Sequence, residues 1–286
     1  MPYPILTLPY PFARRLRQLL DPFELELLQH AAGNAVTSEL KPIVVSHKGD
    51  RAVFEQVFEH FPNPIPVYKL KLHCDQITLN ISKKDQKLIK CEIVEFSELS
   101  NSTLENFNLD QLMVNVVRIT FRKCHISNAF LEKVSKIVLH PRGLDMGYCT
   151  NIDEDVKFST ILKIFPYVNC VAIGTSYFGW LDDLVSTGRQ LDIVEVLHNN
   201  FEEMFSFRPD ELYEFVTKQC PEFYMHLYVK TNDIAETVDK IKPYIDPRFD
   251  TDVRGYAKIY VTVTLHHIWT GCYSKIYYYK NMQKKK

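Results

Sequence analysis

The sequence predicts a mixed fold of the α+β or α/β class, in which a short N-terminal helical unit precedes an irregular succession of strands and helices. Three observations lead to this prediction. Apolar residues follow helical spacing in the first forty residues, they alternate with polar residues from about residue 67, and a strand-then-turn pattern recurs from about residue 112. Hydrophobic residues make up 46% and charged residues 24% of the 286, a composition typical of folded proteins.

Charge and cysteine content narrow the class of protein. The 34 basic residues nearly cancel the 35 acidic ones, and a net charge of −1 gives no reason to expect nucleic acid as a ligand. We find no run of about 18 apolar residues that would predict a membrane helix. The N-terminus lacks the basic and apolar regions of a signal peptide. Because the seven cysteines form no C-x-x-C pair, we expect reduced thiols and a soluble cytoplasmic or nuclear protein.

The first forty residues predict two or three short helices. Apolar residues recur at helical spacing between Phe12 and Leu20. Asp21 suits a helix N-cap, Pro22 suits the first helical position, and Glu24 stands where a capping-box carboxylate reaches back. The second helix is therefore expected from Pro22 to Ala32, ahead of a Gly-Asn stop. So small a unit cannot hide all its leucines, and it must dock on the rest of the chain or on a partner.

The same segment, about residues 4 to 42, also carries a known pattern of leucines and prolines. Its residues are Leu6-Thr7-Leu8-Pro9, Leu16, Leu19-Leu20-Asp21-Pro22, Glu24-Leu25 and Leu28. These residues resemble the F-box motif, and we assign residues 1–42 to an F-box-like helical unit. The last third departs from the motif, because Ala31-Ala32-Gly33-Asn34 replaces its usual basic and aromatic cluster. The short motif and divergent remainder are similar to the F-box proteins that are especially numerous in nematodes.

The resemblance implies a partner and a set of contacts. An F-box binds a Skp1-like adaptor, which links it to a cullin-based ubiquitin ligase. The residues expected to bind the adaptor are Leu8, Pro9, Leu16, Leu20, Pro22, Leu25 and Leu28.

Residues 43–66 are predicted to be a helical connector and a proline-rich linker. Apolar residues between Val53 and Phe61 follow an amphipathic pattern, and three prolines then occur within Pro62–Pro66. We place the domain boundary there and assign residues 67–286 to one irregular repeat-like α/β domain. Half-buried strands are expected where apolar residues alternate with polar ones, at Leu70 and Leu72, around Ile77, and from Ile89 to Phe96.

A recurring pattern from about residue 112 resembles the leucine-rich repeat, in which a strand is followed by a turn Asn or Cys that satisfies backbone groups. Three segments fit all five positions, although chance alone yields roughly one such match. The fitting residues are Val116, Ile119, Phe121, Cys124 and Ile126; Leu191, Val194, Val196, Asn199 and Phe201; and Tyr224, Leu227, Val229, Asn232 and Ile234. Weaker copies place Leu144 and Met146 before Cys149, and Val168, Val171 and Ile173 before Ser176.

The spacing of the turn positions supports stacked strand-helix units. Positions 124, 149, 176, 199 and 232 are separated by 25, 27, 23 and 33 residues, mostly within the range of about 20–29 residues of such repeats. Helical stripes at Phe158–Phe165 and Leu212–Val216 lie between the predicted strands, and two terminal strands are expected at 259–265 and 276–279. A generic α/β domain with a parallel sheet is the alternative interpretation.

The repeat geometry also predicts a binding face. The leucine-type positions point inward, so the intervening positions are expected on the concave side, where repeat proteins bind partners. These predicted substrate-binding residues are Arg118, Thr120, Arg122, Glu195, His226 and Tyr228.

Sequence motifs for chemistry are missing, and we expect no catalytic residue, metal or cofactor. The chain lacks the phosphate-binding glycine loops, the G-x-S-x-G elbow and the H-E-x-x-H zinc helix. The carboxylate pairs Asp182-Asp183 and Glu202-Glu203 are interpreted as solvated charges, and His266-His267 would point to opposite strand faces. The preferred hypothesis is an F-box-type receptor that recruits a protein target for ubiquitination. The alternatives are an interaction scaffold whose N-terminal helices pack internally, or an enzyme without a known motif.

Overall fold

A computed structural model describes residues 15, 18–32, 44–59, 65–72, 77–80, 87–105, 112–198, 200–245, 247–250, 259–268 and 273–280. A mostly parallel sheet runs through nearly all of them. Its strands, with the short β6–β9 pair that stands apart, are β1 (His47–Glu59), β2 (Ile65–Leu72), β3 (Ile77–Asn80), β4 (Lys87–Ser97), β5 (Leu112–Arg122), β6 (His125–Ile126), β7 (Val138–Leu139), β8 (Gly143–Tyr148), β9 (Asn151–Ile152), β10 (Cys170–Ile173), β11 (Ile193–His198), β12 (Tyr224–Thr231), β13 (Phe249–Asp250), β14 (Ile259–His267) and β15 (Tyr273–Lys280).

The order of strands across the sheet is β3-β2-β1-β4-β5-β8-β10-β11-β12-β14-β15-β13, with β7 paired to β5. The run from β1 to β14 is parallel throughout. Antiparallel strands complete both ends, β2 and β3 beside β1, and β15 and β13 beside β14. Successive strands from β4 to β14 therefore add in one direction, as predicted for stacked strand-helix units.

The first helix precedes the sheet, and the others lie between its parallel strands along the chain. They are α1 (Pro22–Ala32), α2 (Asn101–Leu104), α3 (Asn128–Ile137), α4 (Phe158–Ile164), α5 (Trp180–Ser186), α6 (Phe201–Met204), α7 (Pro209–Thr217) and α8 (Ile234–Ile245). The capping box predicted for α1 is confirmed, because Asp21 Oδ1 accepts from the backbone N–H of Glu24 at 2.9 Å while Glu24 Oε2 accepts from that of Asp21 at 2.9 Å. In the part of the chain described, no helix is long and apolar enough to span a membrane.

One face of the sheet packs against the helices. Phe54, Phe96 and Phe121 occupy adjacent strands on this face, and their rings stack at centroid distances of 4.8 and 5.4 Å. Phe130 of α3 meets Phe121 edge-on at 5.5 Å. Further along, the indole of Trp180 is buried and donates to the carbonyl of Met204 at 3.0 Å. The mixed α/β class, the stripes of α4 and α7 and the two terminal strands agree with the sequence predictions.

The helical connector predicted in residues 43–66 is wrong, because residues 47–59 form strand β1. This strand pairs in parallel with β4 and antiparallel with β2, so the proline-rich stretch between β1 and β2 joins two strands of one sheet rather than two domains. Ala52, Val53 and Phe54 are all buried. A strand covered on both faces carries a continuous apolar run, and that run can match helical spacing by chance. Residues 60–64 lie outside the described residues.

The predicted turn positions differ in outcome. Cys124 is buried, and its Sγ lies 3.2 Å from the carbonyl oxygen of Phe96, as expected of a turn residue that satisfies backbone groups. Cys149 is also buried. Ser176 is buried too, but its Oγ has no hydrogen-bond partner among the described residues, so the turn role predicted for it is not confirmed. Asn232 is exposed, so the turn role predicted for it is wrong. Asn199 lies outside the described residues.

The third full match of the repeat was placed two residues out of register. The sheet aligns Val194 with Met225 and Val196 with Leu227, whereas the sequence pattern aligned them with Leu227 and Val229. Because β12 has an apolar residue at every second position, both alignments place apolar residues at the positions where the repeat pattern requires them. Since the shift is even, the inward and outward faces of β12 were still predicted correctly.

Candidate functional site

The face of the sheet opposite the helical layer carries polar and aromatic side chains. Alternate residues of a strand point to opposite faces, and Ile119, Leu144 and Val194 belong to the buried core. The residues between them therefore form the other face. We call it the polar face and define it as Glu95, Arg118, Thr120, Arg122, Asp145, Ala172, Glu195, His226, Tyr228 and Thr264.

Register aligns one row of the polar face across six parallel strands. Glu95 pairs with Thr120, Thr120 with Asp145, Asp145 with Ala172, Ala172 with Glu195, and Glu195 with His226. All six residues predicted to bind substrate (Arg118, Thr120, Arg122, Glu195, His226 and Tyr228) lie on this face. The structure thus brings together side chains that are more than one hundred residues apart in the chain.

Two residues that complete the row, Asp145 and Ala172, were not among the predicted site residues. They lie on β8 and β10, which connect β5 to β11. The signal was available in the sequence, because the two weaker repeat copies contain them between their apolar positions. Those copies predicted the inward residues Leu144, Met146, Val171 and Ile173, but their outward residues were not included in the predicted face.

At one end of the polar face, a buried carboxylate holds two arginines. Glu95 is buried, with Arg122 Nε 2.7 Å from its Oε2, and Arg51 also pairs with it. The guanidinium of Arg122 lies 4.9 Å from the centroid of the Tyr148 ring, a cation-π contact. The hydrogen bond to Glu95 raises the pKa of Arg122, against the opposing effect of partial burial. Arg122 therefore neutralises an internal carboxylate, in addition to any contact with a partner.

The centre of the polar face holds a small depression. A cavity of about 60 Å³ is lined by side chains that include Arg118, Asp145, Ala172 and Glu195. Gly143 forms its edge, since a Cβ placed there would lie 3.2 Å from the Cγ and Nε of Arg118. Arg118 is exposed, and no ion pair joins it to another residue in the described ranges.

The two carboxylates of this depression differ in their surroundings. Asp145 Oδ1 accepts from the backbone N–H of Gly147 at 2.9 Å. The side chain of Glu195 is 38% exposed. Its pKa is raised, first by burial and then by the negative charge of Asp145, while Arg118 acts in the opposite direction. Glu195 is therefore a carboxylate whose charge is incompletely compensated in the free protein.

Imidazole and phenol rings follow on β12 and β14. The Nε2 of His226 lies 2.9 Å from Thr264 Oγ1, and its Nδ1 lies 4.0 Å from Glu195 Oε1. The Tyr228 ring stacks on His266 at 6.0 Å, and burial raises the pKa of its hydroxyl. This end of the face offers flat rings beside the central carboxylates.

The N-terminal helix α1 is attached to the sheet by a buried carboxylate. Glu26 is 2% exposed, and its Oε2 lies 2.6 Å from the Nζ of Lys90 on β4. Its Oε1 accepts from the backbone N–H and the hydroxyl of Ser46, both at 2.9 Å. Burial alone would raise the pKa of Glu26, but the hydrogen bonds from Lys90 and Ser46 outweigh it and lower the pKa to about 2.

The predicted adaptor-binding residues divide into three groups. Leu20, Pro22 and Leu28 are partly exposed, whereas Leu25 is 5% exposed and cannot contact another protein in this arrangement. Leu8, Pro9 and Leu16 lie outside the described residues. Leu19 and Leu27, which were not in the predicted set, are 72% and 61% exposed.

Other pairs of ionisable groups take part in local structure. Asp183 Oδ2 accepts from the hydroxyl of Tyr177 at 2.6 Å and from the backbone N–H of Ser159 at 3.0 Å. His198 pairs with Glu203 at 2.7 Å. Within the described ranges, no group of three or more His, Cys, Asp or Glu residues is arranged to hold a metal ion.

No protein-family model, curated protein or solved structure matches the chain.

Proposed function

We propose that the chain is an F-box-type substrate receptor, whose N-terminal helices bind a Skp1-like adaptor and whose polar face binds a protein target. The observation that carries the adaptor half is the exposure of Leu19 and Leu27, while Glu26 of the same segment is buried and paired with Lys90 of the sheet. The row of polar side chains across stacked parallel strands supports the target half.

The geometry of α1 favours a partner on its outer side. The side chains of Phe23, Leu25 and Glu26 are buried, whereas that of Leu27 is 61% exposed. Just before the helix, Leu19 is exposed and Leu20 is partly exposed, so leucine side chains remain at the surface. Exposed leucines on and just before an anchored helix indicate a protein-binding surface.

The proposed mechanism is proximity. A receptor that holds its target and a ligase in one complex raises the effective concentration of the target near the ligase. The receptor itself then needs no bond-forming residue. A face with a paired arginine end, a carboxylate centre and an aromatic end is suited to recognising a protein segment.

A second candidate, the interaction scaffold, is favoured by one observation. The pair between the buried Glu26 and the partly buried Lys90 shows α1 packing on the chain's own sheet. In the scaffold hypothesis this packing is the whole role of α1.

Measuring whether the chain binds a purified Skp1-type adaptor distinguishes the receptor hypothesis from the scaffold hypothesis. We expect the full chain to bind, and Leu19→Asp with Leu27→Asp to abolish binding without unfolding the protein. Phe178→Asp, at another exposed apolar residue, serves as the matched control and should bind normally. Failure of the wild-type chain to bind would favour the scaffold.

A further inference from the structure

The central depression of the polar face has the dimensions and charge of a site for one basic side chain. Asp145 and Glu195 occupy the same row, and Ala172 is the only residue between them in that row. Since neighbouring strands lie about 4.8 Å apart, the two backbones are separated by about 10 Å. Alanine has no side chain beyond Cβ, so an open gap remains between the two carboxylates.

The charge of the central depression indicates which kind of side chain it can bind. Two carboxylates and one guanidinium, that of Arg118, line the depression. The nearby guanidinium of Arg122 also interacts with Asp145, but it is already paired with the buried Glu95. Ala172 gives the gap an apolar floor that matches the methylene stem of a lysine or arginine. An aliphatic stem with a cationic end satisfies both features.

We propose that the polar face binds an extended segment of a target protein by inserting a lysine or arginine side chain between Asp145 and Glu195. This inference rests on the proposed function, since it names the class of target that the receptor would recognise. The cation brings positive charge to Glu195, which Arg118 compensates only in part. The neighbouring rings of Tyr228 and His226 provide a surface for the residues that flank the basic side chain.

The charged groups around Glu195 determine how binding depends on pH. They are Asp145 on β8, Arg118 on β5, Cys170 on β10 and His226 on β12. Burial and Asp145 favour the protonated form of Glu195, whereas a bound cation favours its ionised form. Binding should therefore strengthen as the pH rises through the raised pKa of Glu195.

The direct test is an NMR titration of the full chain with Nα-acetyl-lysine N-methylamide. The expected result is a shift of the Ala172 amide resonance and a fall in the pKa of Glu195, followed through its side-chain carboxyl carbon. Nα-acetyl-norleucine N-methylamide has a similar stem without the charge and should give neither effect. Equal responses to both probes, or no response to the lysine probe, would overturn the proposal.

Two kinds of variant keep the test independent of folding. Asp145→Asn with Glu195→Gln removes the charges, while the new amide oxygen at position 145 can still accept from the backbone N–H of Gly147. Ala172→Leu fills the gap but leaves both carboxylates. Each should weaken binding of the lysine probe at least tenfold, with the amide spectrum of the folded chain otherwise preserved. Unchanged binding in both variants would show that the cation binds elsewhere.

Arg118→Gln should strengthen binding, and weaker binding would contradict the assigned charge balance.

Measuring adaptor binding as well distinguishes a failure of the basic-residue site from a failure of the proposed function. The Asp145→Asn, Glu195→Gln variant should bind a Skp1-type adaptor like the wild type, because α1 lies on another part of the molecule. If the lysine probe binds and the adaptor does not, the basic-residue site stands without the ligase role. If the adaptor binds and the lysine probe does not, only the site proposed here is wrong.

Discussion

The buried carboxylate of Glu26 on helix α1 and the partly buried ammonium of Lys90 on strand β4 form an ion pair, with 2.6 Å between Oε2 and Nζ. The ammonium of Lys90 also lies 5.4 Å from the centroid of the Phe23 ring. Ser46, just before β1, donates to the same carboxylate. One acidic side chain thus joins the N-terminal helix to strand β4 and to the residue just before β1, and it fixes the orientation in which α1 presents the exposed Leu27.

The first prediction concerns the stability that Glu26 provides. A pKa of about 2, against an ordinary value of 4.5, favours the folded state by roughly 3 kcal/mol at neutral pH. This stabilisation is present above the unfolded-state pKa and is lost as the pH falls from about 4.5 towards 2. Glu26→Gln should therefore lower the free energy of unfolding by about 2 to 3 kcal/mol at pH 7.

Urea denaturation at several pH values measures this effect. The difference between wild type and Glu26→Gln should shrink steadily below pH 4.5. A difference that is constant with pH would mean that the Glu26 charge does not hold α1 to the sheet.

The second prediction concerns Glu195, whose ionisation lowers the stability of the folded state, whereas that of Glu26 raises it. Its pKa is raised in the folded state, so wild-type stability falls as the pH rises from the unfolded-state value through the raised one. Glu195→Gln should be more stable than wild type at pH 7, and the advantage should vanish under acidic conditions where the wild-type carboxyl is protonated in both states. Thermal unfolding from pH 4 to pH 8 tests this, and a destabilised variant at pH 7 would contradict it.

The third prediction distinguishes the two arginines of β5. Arg122 pairs with the buried Glu95, and reversing its charge should destabilise the fold by about 2 kcal/mol, because Arg51 remains as a partner. Arg118→Gln should change the free energy of unfolding by less than about 0.5 kcal/mol, since Arg118 is an exposed surface position. Equal losses measured by urea denaturation would show that Arg118 also has a structural partner.

The fourth prediction concerns cysteine reactivity. Cys91, Cys124 and Cys149 are buried, whereas Cys170 and Cys220 are partly exposed, and all five are free thiols. Burial raises the pKa of Cys91 to about 12, so its thiolate is scarce at neutral pH. Alkylation of the native protein at pH 8, read by mass spectrometry, should modify Cys170 and Cys220 long before the three buried cysteines. Rapid modification of Cys91 would indicate that β4 opens readily.

Much of the fold could be predicted from local patterns. The capping box of α1 and the stripes of α4 and α7 depend on neighbours within a few residues, and sequence shows such neighbours directly. The outward positions of β5, β11 and β12 were also predictable, because side-chain alternation along a strand has a period of two. The turn role of Cys124 followed from the same repeat pattern.

The errors arose where long-range pairing decides the structure. The apolar run around Phe54 fits a helix or a strand, and its pairing with β4 selects the strand. Leu25 and Leu27 look equivalent as leucines, yet the Glu26–Lys90 pair turns the first inward and leaves the second exposed. Asp145 became a candidate only when the register placed it two strands from Glu195.

The most direct test of the receptor function is size-exclusion chromatography of the full chain with a purified Skp1-type adaptor. The receptor hypothesis predicts one complex of 1:1 stoichiometry, and separate peaks when Leu19 and Leu27 are both replaced by Asp. Separate elution of a correctly folded wild-type chain and the adaptor would contradict the proposed function.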